Sequence, residues 1–145
     1  MTTSATALWV PRKQPNAKLG LFCFPYAGAG ASIFREWAEV LPPTIQLFSV
    51  QLPGREWRRY EPAQVRMEEL VDQLMPEVVD AAKAFDAFVL FGYSMGANIA
   101  FALARRMRQA GERLPSKLIL AASRVTSEVI SKFPKASLAR PASCL

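Results

Sequence analysis

The sequence predicts an α/β fold, a parallel sheet with helices packed on both faces. Three observations predict it. Four short apolar runs recur along the chain, amphipathic segments of helical period lie between them, and 51% of the 145 residues are hydrophobic. Strands that alternate with helices build such a sheet because each crossover lays a helix against one face and buries both.

The strands come first. "LGLFCFP" (Leu19 to Pro25), "IQLFSVQLP" (Ile45 to Pro53), "AFVLFGYS" (Ala87 to Ser94) and "KLILAAS" (Lys117 to Ser123) are runs with little polar alternation, the pattern of strands covered on both sides. Between the first two, Phe34, Trp37, Ala38 and Leu41 follow helical spacing, with Ser32 as the expected N-cap. A longer helix is expected from about Met67 to Phe85, with Leu70, Leu74, Val78, Ala81 and Phe85 on one face and a kink at Pro76. After Ser94, Ile99, Leu103 and Met107 form a stripe flanked by Ala100 and Ala104. Gly111 supplies the stop, and Arg105, Arg106 and Arg108 suit the negative end of the helix dipole. Beyond Val125 the chain is rich in serine and small residues and offers no further strand. The "LILAA" strand is therefore expected to keep an open edge.

Composition narrows the function. Eighteen Lys and Arg against twelve Asp and Glu give a net charge of +6, but the arginines are scattered through amphipathic segments without the basic-aromatic pattern of nucleic-acid binders. A solvated basic face and a docking surface for an acidic partner both remain open. Cys23 and Cys144 form neither a disulfide framework nor a metal-ligand spacing, so no metal and no cofactor is expected. No apolar run reaches the eighteen residues of a membrane span, and the first residues lack the pattern of a secretory signal. A cytoplasmic protein that enters no membrane is the expectation.

The chemistry starts at "GYSMG". Gly92, Ser94 and Gly96 fit G-x-S-x-G between a buried strand and an alanine-rich helix, the setting of a nucleophile elbow. Such an elbow forces the serine into a strained turn, so its neighbours two residues away must lack bulk. Ser94 is the expected nucleophile, with the Met95 backbone N–H, at the positive end of the helix, as the first oxyanion donor. "FPYAGAGAS" leaves the first strand through a loop of small residues. It is the expected source of the second donor, Ala27, with Tyr26 shaping the pocket. A dinucleotide loop at Gly28 and Gly30 is excluded, because Ile33 stands where a third glycine belongs and no ribose-binding acid lies near Gln51.

"LFCFPYAGAGAS", "QLPGREWRRYEPA", "LFGYSMGANIAF" and "KLILAASR", in this order and spacing, resemble the type II thioesterases of polyketide and nonribosomal peptide biosynthesis, which are α/β-hydrolases. The resemblance spans about Val10 to Arg124, and "LPGRE" is its most specific part. It implies removal of acyl groups from the phosphopantetheine arm of an acyl or peptidyl carrier protein, with Ser94 acylated and then released by water. The segment Pro53 to Pro62 reads either as a solvated loop of paired charges or as the border of the pantetheine entrance, with Arg55 as the substrate-binding candidate.

A serine hydroxyl needs a base, and none is evident: the chain contains no histidine, and no aspartate follows Asp86. Only Glu112 and Glu128 follow Ser94, and Lys117 begins the next strand. In the resembling family the acid and the histidine lie beyond the strand that ends near Arg124. The chain therefore reads as residues 1–124, the amino-terminal part of a thioesterase domain, and residues 125–145, a divergent tail after truncation or a frame shift near Val125. Two readings follow: a thioesterase inactive as this chain alone, or a non-catalytic remnant that is inert or weakly binds an acidic carrier protein.

Overall fold

Each of the four apolar runs is a strand, and two further strands join them. The computed structural model describes residues 6–122 and the backbone of residues 136–139. The strands are β1 (Leu8–Trp9), β2 (Leu19–Phe24), β3 (Ile45–Val50), β4 (Ala87–Tyr93), β5 (Lys117–Ala121) and β6 (Ala136–Ala139). They form one sheet in the order β1-β3-β2-β4-β5-β6. Strands β2 to β6 run parallel, and β1 lies antiparallel against β3. The helices are α1 (Trp37–Val40), α2 (Met67–Ala82) and α3 (Met95–Gln109), with 3-10 turns at Ala31–Phe34 and Glu56–Arg58.

The two-residue periodicity of the strands divides the core between two faces. On one face Phe22, Phe24, Val50, Phe88, Leu90, Leu118 and Leu120 pack under α2 and α3, which contribute Leu70, Leu74 and Val78 and Ile99, Leu103 and Met107. Phe22 stacks on Phe48 at 4.7 Å and meets Phe88 edge-on at 6.0 Å. On the other face Cys23 and Leu47 lie against Phe34 and Ala38, beside a ring cluster in which Trp37 contacts both Phe34 and Phe91.

Four expectations change. The helix after the first loop is a 3-10 turn followed by the four-residue α1, because Leu41 turns extended before the Pro42-Pro43 pair, where a helical conformation would clash with the proline ring. Ser32 lies inside the turn, Gly30 holds the cap position, and the Ser32 hydroxyl bonds Glu56 instead. Helix α2, with Pro76 inside it, stops at Ala82 rather than Phe85, so Val71 and Ala82 complete its buried stripe while Ala81 is half-buried and Phe85 lies beyond the helix. The edge of β5 is not open: β6 pairs with it from Leu118↔Ala136 to Ala121↔Ala139, where the serine-rich composition signals no strand. Other expectations for residues after Ala122, including Glu128 and Cys144, lie outside the described residues.

Helix α3 ends as its sequence predicts. Gly111 has φ 72°, Glu112 N–H donates to the Met107 carbonyl at 2.9 Å and Gly111 N–H to that of Arg108 at 3.2 Å, the paired bonds of a Schellman motif. Among the described residues, no helix is long and apolar enough to cross a membrane.

Candidate active site

At the junction of β4 and α3, Ser94 has φ 54° and ψ −114°, a conformation that costs a non-glycine residue of order 1–3 kcal/mol. Packing on every side holds it there. Its N–H donates to the carbonyl of Ala121 at the end of β5 at 2.8 Å, and its own carbonyl accepts from Ala97 at 3.0 Å as α3 begins. A Cβ on Gly92 would lie 2.2 Å from the Gly96 carbonyl oxygen, and one on Gly96 would lie 2.0 Å from the Phe24 carbonyl oxygen. Both glycines of G-x-S-x-G are therefore steric requirements, and the second one presses the start of α3 against the exit of β2.

That contact brings the second loop to the elbow. Phe24 is in register with Gly92, so the chain leaving β2 and the chain leaving β4 emerge side by side. Tyr26, 43% exposed, meets the ring of Tyr93 at 5.8 Å, and Ala27 follows on an exposed turn with Gly28 at φ 84°. Tyr26, Ala27, Ser94 and Met95 thus share one end of the sheet. A cleft of about 490 Å³ opens beside them, lined by Tyr26, Ile33, Phe34, Trp37, Phe91 and Tyr93.

Arg55 reaches across to the loop after β2. Its guanidinium donates to the Ala29 carbonyl at 2.7 Å and to the Tyr26 carbonyl at 3.4 Å, bracing the turn that contains Ala27. The neighbouring residues do likewise. Buried Gln51 accepts from Ala31 N–H at 2.8 Å and donates to the Arg55 carbonyl at 2.8 Å, and the buried Ser49 hydroxyl donates to the Ala31 carbonyl at 2.6 Å. Glu56, at φ 44°, accepts from both the hydroxyl and the N–H of Ser32. Sequence reasoning missed Glu56 because one acid among alternating charges carries no local signal of a partner 24 residues away.

Arg58 is also not a surface cation. It is 5% exposed, donates to the Gln51 carbonyl at 2.8 Å and pairs through both Nε and Nη2 with Glu61. Arg59 is exposed and stacks on Tyr60.

Neither Lys117 nor Glu112, the two groups after Ser94 weighed as a base among the described residues, lies near it. Lys117 opposes Val89 at the start of β5, four residues before the Ala121 that opposes Tyr93, a separation of about 13 Å along the strand. Glu112 lies past the far end of α3, about 22 Å of helix from the elbow.

A serine at positive φ between a buried parallel strand and a helix, with glycine at both flanks and a small-residue loop beside it, defines the α/β-hydrolase class. The thioesterase-domain family model matches residues 20–138, and the chain belongs to that family. It is 42% identical over 104 residues to the gramicidin S biosynthesis protein GrsT of Aneurinibacillus migulanus, covering 72% of this chain and 40% of that protein. It is 36% identical over 127 residues to the thioesterase PikA5 of Streptomyces venezuelae, covering 84% and 44%. Among solved structures, the RedJ thioesterase of the prodiginine pathway in Streptomyces coelicolor superposes with a TM-score of 0.72 at 35% identity, covering 86% of this chain and 45% of that one. The type II thioesterase resemblance is thereby borne out. The chain spans less than half the length of these relatives.

Proposed function

We propose that this chain carries the acyl-accepting part of an editing thioesterase. Ser94 attacks the thioester carbonyl of an acyl group on the phosphopantetheine arm of a carrier protein. The Met95 and Ala27 N–H groups receive the oxyanion, the pantetheine thiol leaves, and water releases the acid from the serine ester. The aromatic cleft beside Tyr26 suits the acyl chain, and a cytoplasmic setting goes with carrier-protein substrates. The base that moves the Ser94 proton comes from outside these 145 residues, which contain no histidine. The observation that most supports this reading is the strained φ of Ser94, held by close backbone packing at a position where fold stability alone favours glycine.

The test is hydrolysis of an acyl-pantetheine thioester by the chain alone and mixed with the complementary carboxy-terminal half of GrsT. Turnover is expected only in the mixture and only with Ser94 intact. Equal turnover by Ser94→Ala would overturn the assignment. The lack of histidine also favours a second reading, a carrier-protein binder without chemistry. That reading predicts salt-sensitive binding weakened by Arg59→Glu, with no turnover in either sample.

A further inference from the structure

The loop that would supply the second oxyanion donor is not self-supporting. It is built from small residues, its cap position is Gly30, and no side chain within it caps the Ala31–Phe34 turn. What holds it reaches in from the segment after β3. Gln51 takes the Ala31 N–H, Arg55 takes the Ala29 and Tyr26 carbonyls, and Glu56 takes the Ser32 N–H and hydroxyl. Glu56 reaches its partner at a backbone cost, with φ 44°, and its carboxylate occupies the space a side chain on residue 30 would fill. A Cβ on Gly30 would lie 2.2 Å from Glu56 Oε1. The carboxylate thus substitutes for the missing side-chain cap by taking the Ser32 N–H, as Gln51 takes the Ala31 N–H.

We infer that Glu56 is a positioning residue: it fixes the Gly30–Ser32 stretch and, through that stretch, the adjoining Tyr26–Ala29 turn held by Arg55, which carries the Ala27 N–H. The inference rests on the proposed acyl-accepting role of Ser94. Glu56 touches no reacting atom. With Arg55 it forms a latch of opposite charges on two sides of one loop, the guanidinium on the carbonyls and the carboxylate on the N–H and hydroxyl groups. Displacing either shifts a donor that must meet a developing oxyanion, and misplacement by about 1 Å is enough to cost a large part of the rate.

A thiol at position 94 tests this without a base. Ser94→Cys in a Cys144→Ser background leaves Cys23, which is fully buried, as the other thiol. At about pH 9 the new thiolate attacks an acyl-pantetheine thioester, the tetrahedral oxyanion collapses, the pantetheine thiolate leaves, and the acylated chain is read by its mass. Alkylation of the same thiolate by iodoacetamide passes through no oxyanion and reports thiol access alone. Adding Glu56→Ala is expected to slow acylation roughly tenfold or more while alkylation changes less than about twofold. Glu56→Gln, which keeps an acceptor oxygen, should recover most of the acylation rate. Amide exchange at Ala31 and Ser32 should quicken in step with the loss. Equal slowing of acylation and alkylation, or no change in their ratio, overturns the positioning role while Ser94→Cys still acylates. If Ser94→Cys acylates no faster than free cysteine, the acyl-accepting assignment fails, and the inference with it.

Discussion

Gly92 and Gly96 approach each other so closely that a single methyl group on Gly92 would lie 2.2 Å from the Gly96 carbonyl oxygen. The obstacle is backbone, which cannot swing aside as a side chain would. Gly92→Ala and Gly96→Ala are each expected to cost roughly 3 kcal/mol or more, enough to move the midpoint of a urea transition far toward lower denaturant. Gly111→Ala meets no atom within 4 Å and carries only the cost of its φ of 72°, about 1 kcal/mol. Comparable losses at positions 92 and 111 would contradict the close approach.

Ser94 stores strain, and its removal should be measurable. Ser94→Gly relieves a cost of about 1–3 kcal/mol in the folded state but adds freedom to the unfolded chain, which takes back about 0.5–1 kcal/mol. A net gain of about 1 kcal/mol is expected in denaturant unfolding. Ser94→Ala keeps the Cβ and should show no such gain.

Arg58 and Arg59 are adjacent in sequence and opposite in consequence. Arg58→Ala leaves the Gln51 carbonyl and the Glu61 carboxylate without their buried partner and should cost about 2–4 kcal/mol, discounted because Glu61 is partly exposed. Arg59→Ala should stay within about 0.5 kcal/mol, since its ring contact is on the surface. The paired melting curves give the answer directly.

Burial pushes the Cys23 thiol well above its ordinary pKa, with desolvation as the cause. The folded chain therefore keeps this proton at pH values where the unfolded chain releases it. The resulting stability is fully present below the unfolded thiol value of about 8.5 and is lost as pH rises above it. Between about pH 8 and 9.5 the chain should lose about 1 kcal/mol more than Cys23→Ala does. Parallel pH profiles for the two proteins would show that Cys23 is not held protonated.

Much of the fold was legible because its signals are local. Apolar runs mark β2 to β5, the 3.6-residue stripe marks α3, and glycine at 92, 96 and 111 announces turns that only glycine fits. Strand β6 was not legible, since Ala136–Ala139 is only four residues with no β-branched or aromatic side chain and is a strand because β5 offers it an edge. The brevity of α1 was in the sequence as Pro42 and Pro43, but the Phe34, Trp37, Ala38 and Leu41 spacing masked it. Those side chains are buried on one side whether or not the backbone between them is a continuous helix.

At the site, the sequence by itself determined the elbow, because G-x-S-x-G between a strand and a helix is a constraint within five residues. It also determined the lack of a histidine base, which is a matter of composition. Only the tertiary structure decided what the "LPGRE" segment does. Arg55 and Glu56 look alike as alternating surface charges, and Arg58 and Arg59 look interchangeable. Their roles depend on partners about 25 residues away or on burial, which no local pattern records. Pairing β2 with β3 in parallel register sets the ends of the two strands side by side, so the loop after one becomes the support of the loop after the other.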